Sequence, residues 1–568
     1  MPDIVERAID TEAVARLTAA GCDPRLARLF AARGAASMEE LATTLKSLVL
    51  PDRLHHVGDA ARLLADAIEA RQRLLIVADY DADGATACAV GVKALRAMGA
   101  AVDYLVPNRF EHGYGLTPEI VREAVARNPA ILITVDNGIA AVEGIAEANR
   151  LGMRVLVTDH HLPGAEVPDA ACIVNPNQAG CGFPSKNLAG VGVIFYVMLQ
   201  LRAELRARGA FGATRPEPNL AELLDLVALG TVADVVKLDA NNRILVSQGL
   251  ARIRAGKASA GIAALLEIAG RSAPMATAYD LGFAVGPRLN AAGRLKDMSL
   301  GIECLLAQDP ARALDLATKL DRLNRERREI EAGMQESALD MVAAVEAGDA
   351  YTLSIHRAEW HTGVVGLLAS RLKDRFHRPV FAFAAESDAR LKGSGRSIPG
   401  LHLRDALDLV DKRAPGLIER FGGHAAAAGL TLRAGALEEF RAAFEKVARE
   451  RLGAADLAQR IETDGELAPA DITVDFAQML RGQVWGQGFP EPRYTGRFSV
   501  QSQRVVGEKH MKLSLAMGSR RFGAIRFGSA EPVAASINAV YRLDVNEFHG
   551  TRSLQLVVEH LAGATAPL

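Results

Sequence analysis

Cysteine is scarce and scattered. Cys22, Cys88, Cys172, Cys181 and Cys304 form no CxxC pair and are odd in number, so neither a zinc site nor a disulfide framework is indicated. A reducing, cytoplasmic setting is expected. The opening MPDIVERAID has no basic region followed by an apolar one, and no uninterrupted apolar stretch reaches about 18 residues. Neither export nor membrane insertion is expected. Net charge is nearly absent, −2 over 568 residues, and gives no hint of a nucleic-acid partner by itself. What is present is a long chain, 49% hydrophobic, enough for about three or four domains.

Three segments between residues 73 and 161 repeat one pattern: RLLIVADYDADG, ILITVDNG and RVLVTDHHLP. Each begins with a short, β-branched apolar run (74–77, 131–135, 155–157) and lies next to helical patterning, as expected of strands in a parallel sheet. In open α/β sheets ligands bind beyond the carboxyl ends of the strands, so Asp79, Asp81, Asp83, Asp136, Asp159, His160 and His161 are predicted to share one edge. Carboxylates mixed with imidazole suit Mn²⁺ or Mg²⁺. Two such ions are the usual way for several carboxylates to activate water and neutralise a phosphate. The residues point to metal-assisted phosphoester hydrolysis.

Competing explanations exist. DYDADG begins like a calcium-binding loop, but the twelfth position is Val90 rather than Glu and a strand, not a helix, precedes it. A single Asp after a strand, such as Asp136, also serves as a helix cap. It is the combination that specifies chemistry.

Elsewhere, AELLDLVALGTVADVV places Asp234 at an apolar helix end, where an acid needs a partner: a fourth metal-ligating carboxylate, or a cap or salt bridge. Glycines in NLAGVGV permit close helix packing. The first 50 residues read as a helical appendage to the catalytic sheet. Residues 307–347 carry apolar positions (Leu316, Leu320, Leu323, Ile330, Met334, Ala338, Met341) that predict a long connecting helix. A second α/β unit begins at Tyr351. Its KGSGRSIPG (392–400) and FGGHAAAAG (421–429) read as glycine-rich anion-holding loops, with Arg396, Ser397 and His424 as phosphate contacts. From Arg493 onward ten Lys/Arg face five Asp/Glu, and five strand-like segments suggest an OB-type barrel that binds single strands through basic groups and rings. Phe522, Phe527, Tyr541 and Phe548 are candidate stackers, or core.

DYDADG, VDNG, TDHH and ALGTVADVV resemble the four motifs of the DHH phosphoesterase superfamily, and FGGHAAAAG resembles the signature of its companion DHHA1 domain. More narrowly, PNRFEHGYGL, NLAGVGV, GPRLNAAGRL, WHTGVVGLLASRL and KGSGRSIPGLHL, with the terminal barrel, are similar to the RecJ family of single-strand-specific 5′-to-3′ DNA exonucleases. The resemblance runs from about residue 45 to the end. It implies an α/β fold in five parts: a helical extension (1–50), a DHH domain with a parallel sheet (51–305), a connecting helix (306–348), a DHHA1 domain (349–455) and an OB-like barrel (460–568).

It also implies roles. Asp81, Asp83, Asp136, His160 and Asp234 would ligate two Mn²⁺ or Mg²⁺ ions, with His161 facing the scissile phosphate. Asp79 would ligate or orient, and Asp159 would hold a histidine tautomer. Water would attack in line, with no covalent intermediate. Arg109 and Arg288 would line the strand path, while Asn290 and Arg294 serve there or in the fold. Arg371, Ser394, Arg396, Ser397, Gly422, Gly423 and His424 would hold a terminal 5′-phosphate, and a cleft between the α/β domains would exclude duplex. Single-stranded DNA, a helicase and a single-strand-binding protein are the implied partners, in repair and recombination. Other DHH enzymes, acting on short oligoribonucleotides, cyclic dinucleotides or pyrophosphate, and a non-catalytic replication scaffold are the alternatives. The barrel counts against small substrates, and the complete set of acidic and histidine ligands counts against the scaffold.

Overall fold

The computed structural model describes residues 2–108, 115–344, 350–548 and 551–563. The chain divides into two compact units, one of Glu6–Asp321 with Glu462–Leu568, the other of Met1–Val5 with Arg322–Ile461. Among the described residues, no helix is long and apolar enough to cross a membrane.

After a short strand β1 (Asp3–Glu6), the larger unit opens with helices α1 (Thr11–Ala19) and α2 (Pro24–Ala31), capped by Asp10 and Asp23 side chains. The segment after them meets the catalytic part, where Arg243 and Gln248 donate to Glu40 O and Thr43 O. Phe30 also packs against Trp485 and Phe489, and Arg33 pairs with buried Asp464 at 2.8 Å, just ahead of the barrel. The reason is physical: α2 buries Leu26, Leu29 and Phe30, and its aromatic partners lie far along the chain, beyond the reach of local pattern.

Then follow α3 (Val57–Glu69), β2 (Arg73–Ala78), α4 (Ala82–Ala97), β3 (Ala101–Leu105), α5 (Pro118–Val125), β4 (Ile131–Val135), α6 (Val142–Arg150), β5 (Arg154–Thr158) and β6 (Cys172–Val174). The five strands form a wholly parallel sheet in the order β3-β2-β4-β5-β6. Central β4 is buried at every position, as its uniformly apolar run requires of a sheet covered on both faces. Small residues let α4 lie flat on the sheet: a Cβ on Gly91 would come within 2.8 Å of Ile76. Helices α7 (Gly190–Ala207), α8 (Leu224–Ala233), α9 (Ala240–Arg254), α10 (Ala260–Ile268), α11 (Gly286–Leu295) and α12 (Ser299–Leu306) complete this part.

The 35-residue α13 (Pro310–Ala344) is the expected long helix, and the division between units falls within it. The second unit has β7 (Leu353–His356), α14 (Val365–Phe376), β8 (Val380–Ser387), β9 (Arg390–Arg396), α15 (Leu403–Arg413), β10 (Ile418–Gly423), β11 (Ala427–Arg433) and α16 (Leu437–Arg451), with sheet order β10-β11-β9-β8-β7. KGSGR is therefore not a loop but the body of an internal strand, and FGGHAAAAG is a strand end, a turn and a strand start. Gly393 and Gly395 are there because Phe383 and Phe381 rings lie against them: an added Cβ would stand 2.3 and 2.4 Å away. A glycine inside a strand often marks such close approach.

Beyond β12 (Arg460–Thr463) and α17 (Val474–Arg481), strands β13 (Tyr494–Val506), β14 (His510–Met517), β15 (Arg520–Arg526), β16 (Ser536–Phe548) and β17 (Thr551–Gly563) close into a barrel in the order β13-β14-β15-β17-β16. Tyr541 and Phe522 are buried with Phe498 in its core, so two of the four candidate stackers are packing residues; Phe527 is exposed. The Phe548 side chain lies outside the described residues.

Candidate metal centre and phosphate groups

The parallel ladder itself aligns the acids. Just past the ends of β2, β4 and β5, Asp79 N–H donates to Val135 O, Asp136 N–H to Thr158 O and Asp159 N–H to Val174 O, at 3.0 to 3.2 Å. Three strands thus each end on an aspartate at one edge. Asp136 adopts φ +61°, a conformation that costs a non-glycine residue and is tolerated mainly by Asn and Asp. Asn137 clamps the place by donating to both Val77 O and Val135 O.

Asp81 caps α4, accepting from Gly84 N–H. Asp83, wholly buried, accepts from Gly190 and Val191 N–H at 2.7 and 2.9 Å, at the start of α7. A Cβ on Gly190 would stand 2.6 Å from the Asp136 carboxylate. Asp234 caps the C-terminal end of α8. His160 Nε2 lies 3.1 Å from Asp136 and 3.5 Å from Asp234. Three sets of ligand atoms each fall within 4.8 Å of one another: Asp136, His160, His161; Asp83, His160, Asp234; and Asp79, Asp81, Asp136.

The electrostatics are those of a site built for cations. Burial, then repulsion from Asp81, pushes Asp83 up to about 7. Burial and the neighbouring carboxylates push Asp136 and Asp234 well above the ordinary range. Among the described residues, no Lys or Arg pairs with Asp81, Asp83 or Asp234. Like charges held this close call for divalent ions, and an oxygen-rich donor set with one imidazole fits Mn²⁺ or Mg²⁺.

Asp159 has a different task. Its carboxylate accepts from the backbone N–H groups of Ile139, His160 and His161 and lies 2.7 Å from His161 Nδ1. Burial opposes charge on His161, but the Asp159 contact outweighs it, raising the imidazole to about 9. The Asp159 contact fixes the His161 ring beside the cluster, where an imidazole N–H suits an anionic substrate. Asn177 and Asn175 hold the carbonyls of His160 and His161.

Sequence reasoning missed these asparagines, Asn137 and the Gly190 N–H. It left Asn290 open: this side chain accepts from Ala82 N–H at 2.9 Å, and a Cβ on Gly293 would meet Tyr80 O at 1.9 Å. Helix α11 is thus pressed onto the Asp79–Asp83 turn. Arg288 is engaged with Asp321 at 2.9 Å. Arg109 lies outside the described residues.

In the second unit, Arg396 donates to Ser394 Oγ, and an added Cβ on Gly366 of α14 would lie about 3 Å from both side chains. His424 occupies the β10–β11 turn, exposed with Gly422, its N–H donating to Ala427 O. Ala427 is the register partner of Arg396. Arg371 is held by Glu331 at 2.8 Å. Ser397 is not turned outward: its buried hydroxyl donates to Leu401 O.

Residues 73–231 match the DHH family, N-terminal domain, residues 344–450 the DHHA1 domain, and residues 463–560 the RecJ OB domain. The chain is 53% identical to the single-stranded-DNA-specific exonuclease RecJ of Dickeya dadantii, over 94% of this chain and 95% of that one. The chain belongs to the RecJ family. The RecJ exonuclease of Escherichia coli is 50% identical over 95% and 96% of the two chains. RecJ from Thermus thermophilus, solved in complex with Mn²⁺, superposes with a TM-score of 0.82 at 28% identity, covering 99% of this chain and 80% of that one; the same protein has been solved with Mg²⁺.

Proposed function

We propose that this chain is a metal-dependent exonuclease specific for single-stranded DNA, releasing 5′-mononucleotides from the 5′ end during repair and recombination. The observation that carries this reading is the row of strand-terminal acids with His160 and His161, in a chain that belongs to the RecJ family over nearly its whole length. In this reading Asp79, Asp81, Asp83, Asp136, His160 and Asp234 hold two Mn²⁺ or Mg²⁺ ions, which when bound lower the pKa of water and neutralise phosphate charge. His161, fixed by Asp159, faces the scissile phosphate. The backbone N–H groups of Gly190 and Val191 keep Asp83 aimed inward. Ser394, Arg396 and His424 hold the terminal phosphate, with Arg371 positioned by Glu331. The five-part division of the chain belongs to the same reading, and a helicase and a single-strand-binding protein would supply the strand.

The test is a time course on single-stranded DNA labelled at either end, in Mn²⁺, beside blunt duplex. Early mononucleotide from the 5′ label, with duplex intact, is expected. Release first from the 3′ label would reverse the polarity, and an intact strand would remove the nuclease reading.

A further inference from the structure

One segment of the larger unit, residues 175–191, holds the chain on several sides of the acidic edge. At its start, Asn175 Nδ2 donates to His161 O at 2.9 Å and Asn177 Nδ2 to His160 O at 2.6 Å. At its end, the Gly190 and Val191 N–H groups hold Asp83, and Gly190 lies against the Asp136 carboxylate. Between these points, Ser185 Oγ and Asn187 Nδ2 donate to Asp239 Oδ2 at 2.8 and 3.2 Å. Buried Asn242 then donates from one amide nitrogen to Asn187 O at 2.7 Å and to Lys237 O at 2.9 Å. Lys237 and Asp239 belong to the turn that follows Asp234 and leads into α9.

The segment is also closed on itself. Lys186 Nζ donates to Pro176 O and Cys181 O at 2.6 and 2.7 Å, and Lys186 O accepts from Asn177 Nδ2 at 3.2 Å. Charged donors make the stronger hydrogen bonds, and Pro176 and Pro184 fix the backbone locally. Asn175 and Asn242 are fully buried and Ser185 is nearly so, where an unmade hydrogen bond is costly. The need for such a brace is electrostatic: carboxylates gathered at a buried edge repel one another more strongly than they would in water. Without ions, that repulsion pushes apart the segments bearing Asp83, Asp136 and Asp234. His160 Nε2 stands between Asp136 and Asp234, so any shift of His160 against Asp234 disturbs the ligands of both ions.

We propose that residues 175–191 act as a clamp that couples the two metal positions, with Asn177 and Asn242 as its positioning residues. The proposal rests on the metal-centre reading above. Asn177 fixes the strand end that bears His160, Asn242 fixes the turn after Asp234, and the clamp ties the two to each other. Each side chain acts through the backbone it holds, as outer-shell groups do. Releasing either end therefore alters the ligand sets of both ions, and releasing the second end adds little to the loss caused by the first.

The test is calorimetric titration of Mn²⁺ into the full-length metal-free chain, beside thermal melts of the same metal-free proteins. The native chain should take up about two ions. Asn177→Ala should weaken both by about 10- to 100-fold, although Asn177 holds only the His160 side, and Asn177→Gln, which keeps the amide donor, should recover part of that loss. Asn242→Ala should weaken both from the other end. The double variant should lose less affinity than the product of the two single losses, because groups in one network are not additive. Should either alanine variant fail to melt cooperatively, Ser185→Ala, which loses only a hydroxyl on Asp239, decides between one ion and both. Weakening of a single ion, or losses that multiply, would overturn the clamp. So would a lower metal-free melting midpoint with unchanged Mn²⁺ affinity, the result of a merely structural role. A native chain that takes up no Mn²⁺ would instead remove the metal-centre reading on which the clamp rests.

Discussion

The acidic edge and the barrel carry charge in opposite ways. At the edge, several carboxylates are buried together, and Asp81, Asp83 and Asp234 have no Lys or Arg partner among the described residues. In the barrel, Arg493, Arg542 and Arg552 are paired with Glu559, Glu491 and Glu547, while Arg497, Arg504, Lys512 and Arg521 are exposed and make no ion pair among the described residues. Buried charge of one sign is costly until a ligand neutralises it. Exposed charge is solvated at little cost and acts over distance. The edge should therefore respond to substitution by losing function outright, and the barrel by graded loss of affinity.

The largest effect is expected at the edge. Asp136→Ala should lower the rate of strand hydrolysis on the order of 10³-fold or more, since it removes a charge central to stabilising the reaction; a rate within about tenfold of the native value would separate Asp136 from the chemistry. Asn290→Ala comes next. It frees the Ala82 N–H and loosens the turn bearing Asp79, Asp81 and Asp83, and should weaken Mn²⁺ binding by about 10- to 100-fold, as loss of outer-shell support does, measured by calorimetry on a chain that still melts cooperatively.

Without metal, the raised carboxylates bind protons in the folded chain that the unfolded chain releases at about pH 4. Folded Asp83 titrates at about 7, so the folded state holds more protons between these values and its stability falls as pH rises through that window. The thermal midpoint of the metal-free chain should drop between about pH 4 and about pH 7, and Mn²⁺ should recover it most strongly at the upper end. A metal-free midpoint that rises steadily across that window would contradict the assignment. The smallest effect belongs to the barrel: Arg504→Ala with Lys512→Ala, opposite each other on β13 and β14, should weaken strand binding a few-fold and make the salt dependence shallower, by about 0.7 in slope for each phosphate no longer neutralised.

These regions also differ in how far the sequence discloses them. The strand-terminal acids are legible because short β-branched runs followed by Asp or His mark a parallel-sheet edge, and Asp234 because an acid ending an apolar helix stands out. Asn137, Asn175, Asn177 and Asn290 are not, since each acts on backbone groups that only the folded chain brings near; Asn290 meets Ala82 across 208 residues. KGSGR misleads because glycine suggests a loop, whereas here it makes room for Phe381 and Phe383. Ser397 is legible as a polar group beside Arg396, but its hydroxyl direction is not.

The most direct test of the acidic edge is calorimetric titration of Mn²⁺ into the metal-free native chain and into Asp136→Ala. Saturable binding of about two ions by the native chain, with at least one lost or greatly weakened in the variant, is the expected result. Undiminished binding by Asp136→Ala, or none by the native chain, would contradict the placement of the metal centre at the ends of β2, β4 and β5.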